Sequence, residues 1–222
     1  ELVLDIDSNP ALQPYPRSHA MAPTLVTRRW LDAPQRYGRI SRLLHWSMAL
    51  LLAWQFLTMI LKLLLGWHPR DSWMLGTHSH VGFALWLLLF LRSGWAAANL
   101  RNRPSYGSGL LARCAGTAHV ALYVLMLVVP TLALIRQYGS GRGFNWLNLI
   151  PVFSVGEEQP ALVGFVNATR DTIGTSVHGI LAWLLLALVL GHVAMVVVHH
   201  FVWRDDTARR MTGSSRYQTR VG

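Results

Sequence analysis

The chain has 222 residues, of which 52% are hydrophobic and only 14% charged, and its formal net charge is +10. This composition excludes an ordinary soluble domain and predicts an integral membrane protein solvated mainly by lipid. The positive charge needs no nucleic-acid partner, because basic loops are retained on the cytoplasmic side of membranes and attract anionic lipid.

The chain divides into one membrane domain and two tails. Its beginning is rich in proline and arginine and contains no apolar run that would form a signal-peptide core. We expect residues 1–33 to be an N-terminal tail, either disordered or a remnant of processing. We expect residues 34–213 to form the membrane domain and residues 214–222 a C-terminal tail. The loops within the domain are too short and polar for a second soluble core.

Four apolar stretches follow one another, each close to the about 20 residues that a helix needs to cross about 30 Å of hydrocarbon. They cover approximately residues 43–61, 81–98, 118–135 and 177–203. We therefore predict an all-α fold, a four-helix membrane bundle. Of the 20 Lys and Arg residues, 15 lie before the first stretch, around the second loop or after the last stretch. This bias predicts that both termini are cytoplasmic.

Histidines lie in or beside these stretches at matching depths. His45 lies near the cytoplasmic end of the first stretch, and the second begins with His78 and His80 near its outer end. On the fourth, His178 and His192 are 14 residues apart, which is a rise of about 21 Å on nearly one helix face. Depth therefore pairs His45 with His192, and either His78 or His80 with His178. Ionisable residues inside a bilayer are candidate functional residues because their burial is costly.

Paired imidazoles on facing helices are strong axial ligands for heme iron. Two such ligands leave no open coordination position, which favours electron transfer over oxygen binding. Zinc, copper and non-heme iron usually need carboxylates or thiolates as well, and the apolar stretches offer almost none. The single cysteine, Cys114, is remote from the pairs, and no C-x-x-C-H signal is present. The pattern predicts two noncovalent, bis-histidine b-type hemes. The alternative, a histidine-lined transporter without heme, would not explain why the histidines pair at equal depths in the membrane.

Three further polar residues are candidates for supporting roles. His199 follows His192 on nearly the same face and is a candidate proton carrier beside a quinone, the alternative being an interfacial residue next to Trp203. Arg92 is a candidate anchor for a heme propionate, although such an arginine more often snorkels to the interface. His119 has no histidine left at its depth, which favours a packing or hydrogen-bonding role.

The outer loop between the third and fourth stretches, residues 137–175, is long and contains an apolar run at residues 144–155. We expect it to lie on the membrane surface and to shield the outer heme.

The motifs together resemble those of one known family. The matching segments are YGRISRLLHW at 37–46, HSHVG at 78–82, and the histidines of the fourth stretch followed by HHFVWRDDT at 199–207 and by Arg210-Met211. They resemble the bacterial cytochrome b561 family, whose members are four-helix di-heme proteins of the bacterial inner membrane. The resemblance covers roughly residues 34–213.

The resemblance implies ligands and an activity. It implies that His45 and His192 bind an inner heme, and it selects His78 over His80 as the partner of His178 in an outer heme. One branch resembles a superoxide:ubiquinone oxidoreductase, in which electrons pass from superoxide outside to ubiquinone inside. The alternative is a di-heme membrane anchor or relay subunit that receives electrons from a partner dehydrogenase or a periplasmic redox protein.

Overall fold

The structure is a computed structural model that describes residues 30–66, 72–104 and 108–213. Within these residues, four helices are long and apolar enough to cross a membrane: α1 (Arg39–Leu65), α3 (His78–Ala98), α4 (Leu110–Gly139) and α7 (Val177–Val197). The prediction of an all-α, four-helix membrane bundle is confirmed. Most of the expected N-terminal tail and the whole expected C-terminal tail lie outside the described residues, and the sidedness of the termini stays a prediction.

Three of the four spanning helices, α1, α3 and α4, extend beyond the apolar stretches from which they were predicted, whereas α7 ends at Val197, before the predicted end at residue 203. The largest extension is in α4, which begins eight residues before the predicted start at residue 118. Helical hydrogen bonding continues through polar interfacial residues, whereas a hydropathy pattern marks only the part in hydrocarbon. Short elements flank the spans: α2 (Trp73–Gly76), a 3₁₀ turn (Leu100–Asn102), a π-helical turn after α7 (Val198–Val202) and α8 (Thr207–Thr212).

The loop between α4 and α7 contains a β-hairpin, which sequence analysis missed. Strand β1 (Arg142–Trp146) pairs antiparallel with β2 (Ile150–Val155), and the short helices α5 (Pro160–Asn167) and α6 (Arg170–Ile173) follow. The turn uses Leu147 and Asn148 at φ 53° and 59°. Strict alternation and an Asn-Gly turn are the usual hairpin signals, and this segment has neither. The expectation that the loop simply lies along the membrane surface therefore overlooked this folded element.

Two apolar clusters hold the bundle together. Met48, Leu85 and Leu89 join α1 to α3, and a second cluster of Leu125, Val129 and Leu185 joins α4 to α7. Leu52 and Met126 pack against both clusters. Between membrane helices such contacts act through van der Waals packing, because lipid is as apolar as the side chains. The clusters fix the four helices relative to one another and leave other helix faces exposed for lipid.

A buried ion pair fastens the segment before α1 to the segment after α3. The Asp32 carboxylate, with a fully buried side chain, accepts hydrogen bonds from the Gly38 backbone N–H at 2.8 Å and from Arg103 Nε at 3.1 Å. In addition, Trp95 Nε1 donates to Ser41 Oγ at 2.9 Å. These bonds fix the beginning of α1 at the end of the bundle where His45 lies.

Candidate functional site

The first pair of facing histidines lies between α1 and α7. The ring centres of His45 and His192 are 6.4 Å apart, and the ring planes are inclined by 72°. A third ring, that of His119 on α4, lies 5.3 Å from His192, and His119 Nδ1 is 2.7 Å from the Ala115 carbonyl oxygen. We call the end of the bundle with this pair the inner end. The structure thus places His119 beside the inner pair, in keeping with its expected hydrogen-bonding role.

The second pair lies between α3 and α7, at what we call the outer end. The ring centres of His78 and His178 are also 6.4 Å apart, with an interplanar angle of 79°. His178 Nδ1 is 2.8 Å from the Val129 carbonyl oxygen. A carbonyl can only accept, so Nδ1 carries the proton and Nε2 keeps its lone pair for a ligand. His78 Nδ1 is buried without a hydrogen-bond partner in the described part of the chain.

His80 belongs to a different set of contacts. Its Nδ1 accepts a hydrogen bond from the Leu147 backbone N–H at 3.1 Å, and its ring stacks on Phe144 at 5.7 Å. Trp146 Nε1 donates to the His80 carbonyl oxygen at 3.0 Å. His80 therefore binds the hairpin, and His78 is the residue that faces His178. The ligand role of His78 itself stays a prediction.

The spacing of both pairs fits a six-coordinate iron. An imidazole nitrogen lies about 2.0–2.1 Å from a bound first-row metal and about 1.2 Å from its own ring centre, so two opposed ligands put the ring centres about 6.4 Å apart. Among the described residues, no group of three or more His, Cys, Asp or Glu side chains is placed to hold a metal ion. Each pair would supply two ligands, and a macrocycle such as porphyrin would supply the other four. The residues present therefore fit b-type heme.

Arg92 on α3 faces into the bundle near the inner pair. Its Nε donates to Tyr123 Oη at 2.8 Å, and it is a coulombic neighbour of both His45 and His192. Sequence analysis named Arg92 as a propionate anchor or a snorkelling residue, and the structure adds a hydrogen bond across to α4. The remaining guanidinium nitrogens are still able to bind a propionate, which stays a prediction.

His199 lies in the π-helical turn that continues α7, where one extra residue per turn changes the direction of the side chains. Its Nδ1 is 2.6 Å from Asp205 Oδ2, and its ring lies edge-on against Trp203 at 4.5 Å. Although partial burial raises the pKa of Asp205, hydrogen bonds from His199 and Thr207 hold that pKa below its ordinary value. Asp205 is therefore an ionised acceptor for a protonated Nδ1.

Asp205 is a polar partner that sequence analysis did not assign. It stands six residues after His199, in the segment that carries the family motif, and the contact between them spans the end of the π turn. The signal is a polar side chain beside a membrane span, and its partner becomes evident only from the folded chain.

Comparison with known proteins gives matches over most of the chain. The family model described as "Prokaryotic cytochrome b561" matches residues 36–214. The protein named cytochrome b561 homolog 2 of Escherichia coli (strain K12) is 28% identical over 192 residues, which is 83% of this chain and 95% of the relative. Cytochrome b561 homolog 1 of the same organism is 26% identical over 188 residues, 79% of this chain and 96% of the relative.

Proposed function

Because the chain belongs to the prokaryotic cytochrome b561 family and is thus a multi-pass bacterial membrane cytochrome that transfers electrons through b-type heme, we propose that it oxidises superoxide and reduces ubiquinone. Superoxide would donate at the outer end, on the periplasmic side of the inner membrane. Ubiquinone would be reduced at the inner end. The family that the sequence motifs resemble is confirmed, and the finer activity is the proposal.

The observation that carries the proposal is the pair of equal ring spacings, each of 6.4 Å, at two depths of one bundle. His45 and His192 would hold an inner heme, and His78 and His178 an outer heme. When bound there, the hemes supply two one-electron iron couples. Helix α7 carries one ligand of each pair, 14 residues apart, so its rigidity sets a separation of about 21 Å along the helix.

The outer end offers a pocket for a small donor. A cavity of about 470 Å³ opens between the start of α3 and the hairpin, with Ser79, His80, Arg142 and Asn145 in its lining. The charge of Arg142 and the neighbouring hydroxyl and amide groups suit a small anion. Two superoxide anions each lose one electron and leave as O₂. One ubiquinone gains the two electrons and two protons and becomes ubiquinol.

The inner end supplies a proton carrier for the quinone. The Asp205 carboxylate fixes the His199 ring through Nδ1, which leaves Nε2 as the ring nitrogen that can pass a proton to a quinone oxygen. Trp203 packs against the ring and limits its rotation. The Asp205 side chain is 41% exposed, so the pair is in contact with solvent from which His199 is reprotonated.

The test is superoxide-driven ubiquinone reduction by purified holoprotein at substoichiometric amounts. We expect many ubiquinol molecules per protein and a fall of about 100-fold in His199→Gln, which removes a proton carrier. His200→Gln is the matched control, because His200 is the exposed neighbour in the same turn. Absence of ubiquinol formation by heme-replete protein would overturn the proposal. An equal loss in both variants would overturn the role of His199.

One observation favours the relay alternative. The hairpin exposes several large apolar side chains at the outer end, namely Leu147 at 53%, Leu149 at 81%, Ile150 at 50% and Val155 at 80% exposure. An exposed apolar patch of this kind suits a protein partner. If the chain is an electron relay, a soluble redox subunit will co-purify with it, and Leu149→Ser will release that subunit without loss of heme.

A further inference from the structure

We propose that the inner end of the bundle binds the phosphate-bearing headgroup of an anionic phospholipid, in a pocket between the start of α1 and α8. The pocket has a volume of about 270 Å³ and is lined by Arg39, Arg42, Leu43, Trp46, Met211 and Thr212. The paired histidines are not part of its lining, although the Trp46 ring lies 5.5 Å from the His45 ring of the inner pair. Its lining combines two guanidinium groups with an apolar wall, which is the combination that an anionic lipid requires.

One nitrogen of Arg42 lacks a hydrogen-bond partner among the described residues. Its Nε is buried and has no hydrogen-bond acceptor in the described part of the chain. A guanidinium group only donates, and a buried charged donor without an acceptor is costly. The Arg42 guanidinium lies against Gly213, the residue that follows α8, while the side chain as a whole is partly exposed. An oxygen anion in the pocket would supply the missing acceptor.

The carboxylates near this end are already engaged by other cations. Asp32 pairs with Arg103 at 3.1 Å, Asp205 with His199 at 2.6 Å, and Asp206 with Arg209 at 3.3 Å. The pocket therefore has two arginines whose charge is not balanced by a described carboxylate. This imbalance favours an anion from outside the chain, and phosphate oxygens match the guanidinium geometry.

The first turn of α1 adds to the positive potential of the pocket. Helix α1 begins at Arg39 and has no acidic residue in its first turn, and the Asp32 carboxylate that binds the preceding Gly38 N–H is itself paired with Arg103. The amino end of a helix carries a partial positive charge that attracts anions. Arg39 is held over the Trp30 ring at 5.4 Å, beside this helix end. The two arginines and the helix end thus act on the same small volume.

The apolar wall distinguishes a lipid from a free phosphate ion. Leu43 is 66% exposed, Trp46 is 48% exposed and Leu50 is 70% exposed, and their spacing places them along one face of α1. Trp46 Nε1 donates to the Met211 carbonyl oxygen at 3.3 Å, which orients the indole at the edge of the pocket. This face runs from the arginines into the membrane, so an acyl chain can lie along it below the headgroup.

The experiment is native mass spectrometry of detergent-solubilised holoprotein with dioleoylphosphatidylglycerol or dioleoylphosphatidylcholine. We expect one retained phosphatidylglycerol and a preference of about tenfold over phosphatidylcholine, since the choline cation of the zwitterionic lipid is repelled by the two arginines and offsets the attraction of its phosphate. Arg42→Gln should abolish the preference. Arg101→Gln, which removes an exposed arginine outside the pocket, should keep it.

A second variant tests the geometry without removing the charge. A Cβ at Gly213 would collide with the Arg42 guanidinium, so Gly213→Ala should displace the cation and lower the preference as well. The heme spectrum of each variant reports on folding. Equal retention of the two lipids by the unaltered protein, or equal loss in Arg42→Gln and Arg101→Gln, would overturn the proposal. Displacement of phosphatidylglycerol by millimolar inorganic phosphate would assign the pocket to free phosphate and would also overturn it.

Discussion

The inner and outer histidine pairs have the same ring spacing but different surroundings. The inner pair has His119 as a third neighbour and lies within the electrostatic reach of Arg92. The outer pair is oriented by the Val129 carbonyl oxygen bound to His178, and its cation neighbours are different ones, Lys62 for His78 and Arg136 for His178. Equal spacing predicts equal coordination, whereas different neighbours predict that each site responds to the loss of a different cation. A nearby cation disfavours the ferric form, so the loss of Arg92 should lower the potential of the inner site more than that of the outer site.

The largest effect on heme content should come from substituting, one at a time, the two histidines in the first turn of α3. We expect His78→Ala to lose one of two hemes, because it removes the proposed ligand that faces His178, whereas His80→Ala should retain both and disturb only the hairpin contact. Heme per chain, measured by the pyridine hemochrome assay, distinguishes the two. Loss of heme in His80→Ala with retention in His78→Ala would reverse the assignment of the outer pair.

The next largest effect should be a loss of thermal stability at the inner end of the bundle but not at the outer end. Asp32→Asn breaks the buried ion pair with Arg103 and should destabilise the inner end by about 2 kcal/mol. The inner heme should then be lost at a lower temperature than the outer heme, as followed by absorption during heating. The control is Asp206→Asn, whose partner is Arg209 in an exposed pair. Simultaneous loss of both hemes would show that the two ends unfold as one unit.

Substitution of Arg92 should have a moderate effect on the reduction potentials of the hemes. Arg92→Gln removes a cation from the neighbourhood of His45 and His192 and should lower the inner potential by about 50–100 mV. The outer potential should change by a small fraction of that value. Potentiometric titration of the two hemes measures both shifts. Equal shifts at both sites, or none at the inner site, would contradict the electrostatic difference between the pairs.

The smallest effect is a pH dependence at the inner end. The folded pKa of Asp205 is held below its ordinary value, so its contribution to stability is fully present at neutral pH and is lost as the pH falls through the folded pKa. The thermal stability difference between the unaltered protein and Asp205→Asn should stay constant from pH 7 to about 5 and should shrink only below about 4. A difference that already declines near pH 6 would be inconsistent with a lowered Asp205 pKa.

The sequence was sufficient for the features that depend on length and periodicity. The spanning helices follow from their apolar content, and the pairing of His45 with His192 by depth agrees with the observed contact. Features that depend on irregular backbone could not be predicted. The hairpin lacks a turn motif, and the contact of His199 with Asp205 spans the end of the π turn. His80 could be separated from His78 only by resemblance, because the hairpin that binds it was not foreseen.

The central claim is that each equal-spaced pair holds one b-type heme. The most direct measurement is heme per chain by the pyridine hemochrome assay, combined with a reduced-minus-oxidised spectrum of detergent-purified protein. Two b-type hemes per chain with low-spin spectra are the result expected from two bis-histidine sites. One heme or none, in protein produced with ample heme, would contradict the account.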